Sequence, residues 1–320
     1  VENLSNVVHL VAGRQHTCAK TQNGQIHCWG KGLNGRLGPG DQTDRRTPHL
    51  VTSSRGDVLS GALQLTAGYE YTLLAKRRES DGVLIASGWG RNWGRVLTDI
   101  GSTTHLLWPG FRGALPPIQA LSAGDRHACG HREDGRVFCW GRGQDSGRSG
   151  NSTQWAELNT IEGLGSVEQI DAGRAHTCAI KTVDNRGVVI CWGPWNNSGE
   201  LGTNAISAPN DDFRPVPLQP DLNAVEVQAG SNHSCARLAN GTVQCWGDNF
   251  FGQIGQGEQV RYASGQVLDL PLVTSLEAGG NHNCAITQNG EVYCWGLNTQ
   301  NQAGDGFVAN YPTPQRLPGF

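Results

Sequence analysis

The 320-residue chain contains no methionine, and charged residues make up only 17% of it. The missing Met includes an initiator: the chain opens at Val1, and we expect that a secretory signal peptide has been removed ahead of it. With a net charge of −3, no global field draws the molecule to nucleic acid or to an acidic membrane surface. No apolar run reaches transmembrane length, and no lipid-anchor signature stands at either end. A C-x-x-C knuckle is lacking, which argues against zinc held by the cysteines. So are the G-x-S-x-G, H-E-x-x-H, P-loop and dinucleotide fingerprints, and Asp211-Asp212 is not set in a calcium-loop pattern. No metal and no cofactor are therefore expected. Long helical periodicity is missing too, and 45 glycines among alternating apolar residues predict many short strands joined by tight turns.

What the chain does have is repetition. Six copies open at Ala12-Gly13, Ala67-Gly68, Ala123-Gly124, Ala172-Gly173, Ala229-Gly230 and Ala278-Gly279, spaced 49 to 57 residues apart. Each continues as x-x-His/Tyr, a strand, a turn, a second strand ending in Trp-Gly, and a Gly-rich loop. Such a unit cannot bury its apolar face alone, so the copies must stack into one array spanning 1–320.

Ten cysteines fall into the pairs Cys18/Cys28, Cys129/Cys139, Cys178/Cys191, Cys235/Cys245 and Cys284/Cys294. Four pairs are ten residues apart with Asn-Gly or Asp-Gly between them, as in Asn240-Gly241. A three-residue hairpin loop with Gly in the left-handed position sets the two cysteines opposite each other. The remaining pair encloses a longer turn, Val183-Asp184-Asn185-Arg186-Gly187. Copy two has Leu73 and Gly88 instead; losing both together is what a bonded pair predicts. Five intrablade disulfides follow, each worth about 2–3 kcal/mol in the chain-entropy picture, in an oxidising compartment.

The motif Ala-Gly-x-x-His followed by Trp-Gly and a loop such as Asp248-Asn249-Phe250-Phe251-Gly252-Gln253-Ile254-Gly255 resembles the repeat of the regulator of chromosome condensation family. The likeness covers essentially the whole chain and points to a secreted, disulfide-containing branch. It implies an all-β propeller with one four-stranded blade per repeat. Six Trp-Gly signals, at Trp29, Trp89, Trp140, Trp192, Trp246 and Trp295, give six blades, although the best-known members have seven. The segment Tyr311–Leu317 looks like a link preceding a repeat, so the C-terminus is expected to dock beside the N-terminus and seal the ring.

Three groups of residues are candidate sites. His16, Tyr71, His127, His176, His233 and His282 occupy one equivalent position per blade. Blade spacing keeps such side chains too far apart to share a zinc ion, and hydrogen bonding within the fold is the expected role. The two residues before each of them vary while their surroundings repeat, and should cluster on one rim: among them are Arg14, Tyr69, Arg126 and Arg174, suited to carboxylate or sulfate. Trp93, Trp195, Phe250 and Phe251 follow Trp-Gly in corresponding loops, while Trp108 and Trp155 lie elsewhere; loop aromatics favour protein contacts or sugar stacking. Weaker signals are Asn-x-Ser/Thr at Asn3, Asn151, Asn196, Asn232 and Asn240, which matter only in a eukaryotic secretory pathway, and the charged turn Lys76–Gly82.

The leading expectation is a monomeric, extracellular scaffold that binds a protein or polysaccharide through its rim loops. The alternative is a secreted polysaccharide lyase or hydrolase using Tyr71, His127 and His176 with Arg14 and Asp125. Guanine-nucleotide exchange, the activity of the family's nuclear namesake, is disfavoured by the disulfides and the lack of a basic tail.

Overall fold

The computed structural model describes residues 4–78, 80–92, 96–97, 105–142, 155–203, 213–219, 223–258, 262–299, 302–303 and 305–317. Every repeat folds into one antiparallel sheet. Blade one is β1 (Val7–Ala12), β2 (His16–Thr21), β3 (Ile26–Gly30) and β4 (Arg45–Leu50). Blade two is β5 (Ala62–Ala67), β6 (Tyr71–Arg77), β7 (Leu84–Arg91) and β8 (His105–Ala114); blade three is β9 (Ala120–Ala123), β10 (His127–His131), β11 (Val137–Arg142) and β12 (Trp155–Thr160). Blade four is β13 (Gln169–Ala172), β14 (Thr177–Val183) and β15 (Arg186–Trp192). Blade five is β16 (Ala224–Ala229), β17 (His233–Leu238), β18 (Val243–Asp248) and β19 (Tyr262–Gln266), and blade six β20 (Val273–Ala278), β21 (His282–Thr287), β22 (Val292–Gly296) and β23 (Tyr311–Arg316). Five sheets have four strands. In blade four, among the described residues, a bridge from Pro215 to Ile190 stands where the others carry their fourth strand. The segment Tyr311–Arg316 forms the outer strand of blade six, paired to β22.

Two compact units divide the chain: one carries blades one to three except Gly135–Val137, the other blades four to six. Within each, the middle hairpin of a blade is apolar on both faces, because both faces are covered. In blade five, Cys235, Ala236, Cys245 and Trp246 are 0–1% exposed. The first unit has cores around Trp89 and Trp140, the second around Trp246 and Trp295.

The repeated letters have direct physical causes. The glycine after Trp adopts φ of +101° to +111° in blades one, two, three, five and six. A Cβ there would sit 2.4–2.6 Å from the carbonyl oxygen of the rim residue preceding the His or Tyr, so only glycine fits. Gly24, Gly135, Gly241 and Gly290 close the hairpins at φ +75° to +84°. The register sets Cys18 opposite Cys28, Cys178 opposite Cys191, Cys235 opposite Cys245 and Cys284 opposite Cys294. All five expected disulfides are formed. Cys18–Cys28, Cys129–Cys139, Cys178–Cys191, Cys235–Cys245 and Cys284–Cys294 have S–S separations of 2.04–2.10 Å. Leu73 faces Gly88 at the corresponding place in blade two. The turn in blade four is shorter than its sequence suggests. Asp184 and Asn185 at φ +49° and +59° make a two-residue turn, and the extra residues lengthen β14 and β15, so that Cys178 and Cys191 still meet.

One strand stands apart in exposure. The apolar residue two places before the Ala of each Ala-Gly is 0–9% exposed in blades two to six (Leu65, Leu121, Ile170, Val227, Leu276), whereas Leu10 of β1 is 57% exposed.

Candidate functional site

The His/Tyr positions prove to be an internal stapling system. His176 Nε2 hydrogen-bonds to Ser234 Oγ at 2.8 Å, and Ser234 in turn donates to the Glu200 carbonyl at 3.4 Å. Trp246 Nε1 donates to that same carbonyl at 3.0 Å. One blade's His, the next blade's hydroxyl and indole, and the loop carbonyl of the first blade thus form one closed set. The following pair of blades repeats it: His233 Nε2 donates to Asn283 Oδ1 (2.9 Å), and Asn283 Nδ2 and Trp295 Nε1 both donate to the Gln253 carbonyl (2.8 Å each). In the first unit, His16 Nε2 meets Thr72 Oγ1 at 2.9 Å, and Thr72 donates to the Arg36 carbonyl at 3.4 Å.

Burial lowers the pKa of His16 from 6.5 to about 3 and those of His127 and His233 to about 4. Tyr71 is also buried; its hydroxyl donates to the His127 carbonyl at 2.8 Å, and burial together with the Asp125 charge raises its pKa well above the ordinary tyrosine value. Tyr71, His127 and His176 are each 0–1% exposed and face the fold's interior. The cysteines take no part in a binding surface either. Cys129, Cys139, Cys178 and Cys191 are buried with Cys18, Cys28, Cys235 and Cys245, so these pairs are staples inside the blades. Among the described residues, no three His, Cys, Asp or Glu side chains come together as metal ligands.

Of the rim candidates, Arg14 and Arg174 are exposed, while Tyr69 and Arg126 are half-buried. In the first unit, the Arg14 guanidinium lies over the Tyr69 ring, 4.5 Å from its centroid, and the Arg14 amide donates to the Tyr69 carbonyl at 3.2 Å. Glu70, the next residue, receives Arg36 Nη2 at 3.2 Å on one carboxylate oxygen and Arg91 Nη1 at 2.7 Å on the other. Arg36 is wholly buried, and Glu70 is 14% exposed. The aromatic–cation pair is therefore built beside a fixed charge network rather than on a free loop. Arg126 Nε lies 3.5 Å from Asp125 Oδ2, with both half-buried. Arg36 and Arg91 escape the sequence reading. Their one signal is that Arg36 stands where blades four and five carry Glu200 and Gln253.

In the second unit, Arg174 is exposed and Trp195 is 45% exposed. Phe250, 63% exposed, packs edge-on against Phe251 with ring centroids 5.0 Å apart. The pair is held from below: Asp248 Oδ1 accepts the Phe250 amide at 3.1 Å, and buried Gln253 Oε1 accepts the Phe251 amide at 2.8 Å. Trp93 lies outside the described residues, and Trp108 and Trp155 fall on β8 and β12. Asn196 is no glycosylation acceptor, being fully buried with its Oδ1 accepting the Leu201 amide at 2.9 Å. Asn3 and Asn151 lie outside the described residues. The turn after Lys76 is tied by an Arg78–Asp81 ion pair.

The sheet pattern and the interblade relay lead to the comparison with known proteins. The RCC1-like domain profile matches residues 1–319. This chain belongs to the RCC1-like domain family. It is 29% identical over 262 residues to the ultraviolet-B receptor UVR8 of Arabidopsis thaliana, covering 79% of this chain and 56% of the receptor. The human E3 ubiquitin-protein ligase HERC2 is 27% identical over 246 residues, 73% of this chain and 5% of that protein. The chain thus spans about half the length of the first relative and a small part of the second. Among solved structures, Prp20p from Saccharomyces cerevisiae superposes with a TM-score of 0.79 at 21% identity, covering 97% of this chain and 76% of that one. The CRINKLY ectodomain of the Arabidopsis thaliana receptor kinase ACR4 gives 0.53 at 18% identity, covering 96% and 82%. The fold is accordingly an RCC1-like propeller, the fold also of yeast RCC1 in its crystal structure with Kap60, at 21% identity.

Proposed function

We propose that this chain is an extracellular scaffold that grips a protein partner through the rim of its first unit, centred on Arg14 and Tyr69. The carrying observation is the Arg14–Tyr69 stack set beside the buried Arg36–Glu70 pair. A planar cation and a ring fixed in advance lose little entropy on binding, and Arg and Tyr are the residue types that dominate interface energetics. Five disulfides support an oxidising compartment. Among the described residues, no helix is long and apolar enough to cross a membrane. The ACR4 structure is an ectodomain, which supports the same location.

The test is to pass the oxidised protein over a panel of extracellular proteins and polysaccharides, scoring retention and product formation together. Stoichiometric retention of a protein, lost in Arg14→Ala/Tyr69→Ala at unchanged melting temperature, is the expected result. Retention that survives both substitutions would move the site elsewhere. Product released in many-fold excess over protein would make the chain an enzyme and overturn the reading.

A further inference from the structure

The repeat lets charges be compared position by position from blade to blade. In the first unit, Arg36 of the blade-one loop and Arg91, just after the Trp-Gly of blade two, are bridged by the carboxylate of Glu70. In the second unit the same three places hold Glu200, Asp248 and Asn232. The backbone frame is the same: the Asp248 amide donates to the Asn232 carbonyl at 2.8 Å, as the Arg91 amide does to the Glu70 carbonyl at 2.9 Å. The outer signs are inverted, and the bridging ion has become a neutral amide.

Neither carboxylate at this junction has a basic partner. Glu200, 7% exposed, accepts the Ser198 amide at 2.8 Å, and Asp248 accepts the Phe250 amide at 3.1 Å. Among the described residues, no Lys or Arg side chain forms an ion pair with either. Burial raises the pKa of Glu200, and the Asp248 charge raises it further, so the loops of blades four and five meet here with like charges. A buried carboxylate beside another, with no counter-ion, is a place that a cation stabilises.

The same two loops carry exposed rings. Trp195, in the loop with Glu200, is 45% exposed, and Phe250, two residues after Asp248, is 63% exposed. Their supports are fixed. Asn196 and Asn249, one beside each ring, are fully buried and accept the amides of Leu201 and Ile254 at 2.9 Å. Gly252 lies so close to blade six that a Cβ would sit 2.5 Å from the Pro312 Cα, which backs the Phe250 loop. Blades four, five and six all belong to the second unit, so each of these contacts lies within it.

We propose that the junction of blades four and five is a second docking site, which takes a lysine or arginine side chain from a basic segment of a protein partner. The cation lies against Asp248 and Glu200 and supplies the charge that nothing at the junction provides. Its stem and head pack on Phe250 and Trp195, since an aromatic face attracts a cation through its quadrupole. Both rings stand on fixed loops, so little freedom is lost on binding. An acidic segment meets two carboxylates there and is rejected. The site is distinct from the Arg14–Tyr69 rim, which suits the opposite charge.

The test is fluorescence anisotropy of the oxidised protein with a fluorescein-labelled peptide of repeated Gly-Lys-Ser at low salt. Peptides of repeated Gly-Glu-Ser and Gly-Gln-Ser are the controls. We expect only the lysine peptide to bind. Asp248→Asn, whose amide oxygen still accepts the Phe250 amide, and Phe250→Ser should each weaken it about fivefold at unchanged melting temperature. Asp248→Arg, which copies Arg91 of blade two, should pair with Glu200 and abolish binding. Leu268→Ser with Asp269→Asn removes an exposed apolar group and a charge from the link beyond β19, and should leave the affinity as it is. No binding of the lysine peptide, equal binding of the glutamate peptide, or affinity unchanged by the substitutions at Asp248 and Phe250 overturns the proposal. Equal weakening in the Leu268/Asp269 variant overturns it too, as diffuse attraction to an acidic surface.

Discussion

Glu70→Ala is the substitution whose effect the structure defines most sharply. It removes the carboxylate 3.2 Å from Arg36 and leaves a wholly buried guanidinium without its counter-charge. Breaking a buried ion pair from one side costs about 3–5 kcal/mol. Glu70 retains 14% exposure, so water can partly replace it, and we expect the lower end, about 3 kcal/mol. The contact with Arg91, which is 37% exposed, adds only about 0.5 kcal/mol. Arg36→Met removes the buried charge and keeps the stem's volume, so in that background Glu70→Ala should cost only the smaller amount. The expected coupling between positions 36 and 70 is about 3 kcal/mol. Urea unfolding followed by tryptophan fluorescence on wild type, both single variants and the double variant measures it. A coupling below about 0.5 kcal/mol would show that Arg36 does not depend on Glu70, and the account of the rim as a pre-built network would fail.

Three further outcomes follow from the relay and its charges. Ser234→Ala leaves His176 Nε2 and the Glu200 carbonyl short of a partner and should lower stability by about 1–3 kcal/mol, with Ser234→Thr restoring most of it, read as the urea midpoint. Asn249→Ala removes the acceptor for the Ile254 amide and the donor to the Glu258 carbonyl; it should cost about 1–2 kcal/mol and speed proteolysis in the loop bearing Phe250. The pH dependence has two opposed parts. His16, His127 and His233 titrate at about 3 to 4 when folded and 6.5 when free, so the stability they contribute is intact above pH 6.5 and is lost as pH falls towards 4. Glu277 is exposed, yet the surrounding protein strips some of its hydration, and Asp171 and Glu226 add like charge, raising it from 4.5 to about 7. Its contribution is present below pH 4.5 and lost as pH rises to 7, so Glu277→Gln should match wild type at pH 4.5 and melt higher at pH 8. Parallel melting curves for the two proteins across that range would contradict this assignment.

The architecture was legible because repetition amplifies weak signals. A single Asn-Gly between two cysteines proves little, but four copies with a cysteine pair ten residues apart fix hairpin, register and disulfide together. Cys178 and Cys191 were harder to read, since their longer separation is absorbed by strand length rather than by the turn. The Trp-Gly signal was equally plain in sequence, although its reason, a carbonyl oxygen 2.4–2.6 Å from any Cβ, needed the backbone. The rim was half visible. Variable residues before each His or Tyr picked out Arg14 and Tyr69, but Arg36 and Arg91 reach Glu70 from other loops, and no spacing rule connects them.

For the His/Tyr positions the expected role, hydrogen bonding within the fold, was legible in sequence, but the partners were not. His16 and Thr72 are 56 residues apart, His176 and Ser234 58, and His233 and Asn283 50, one repeat length in each case. Thr72, Ser234 and Asn283, each the residue after a Tyr or His, are thus the receivers for the preceding blade, and both halves of the contact sit side by side in one motif. Read within a blade, that motif looks like an array of catalytic groups; read one period onward, it is the interblade bond.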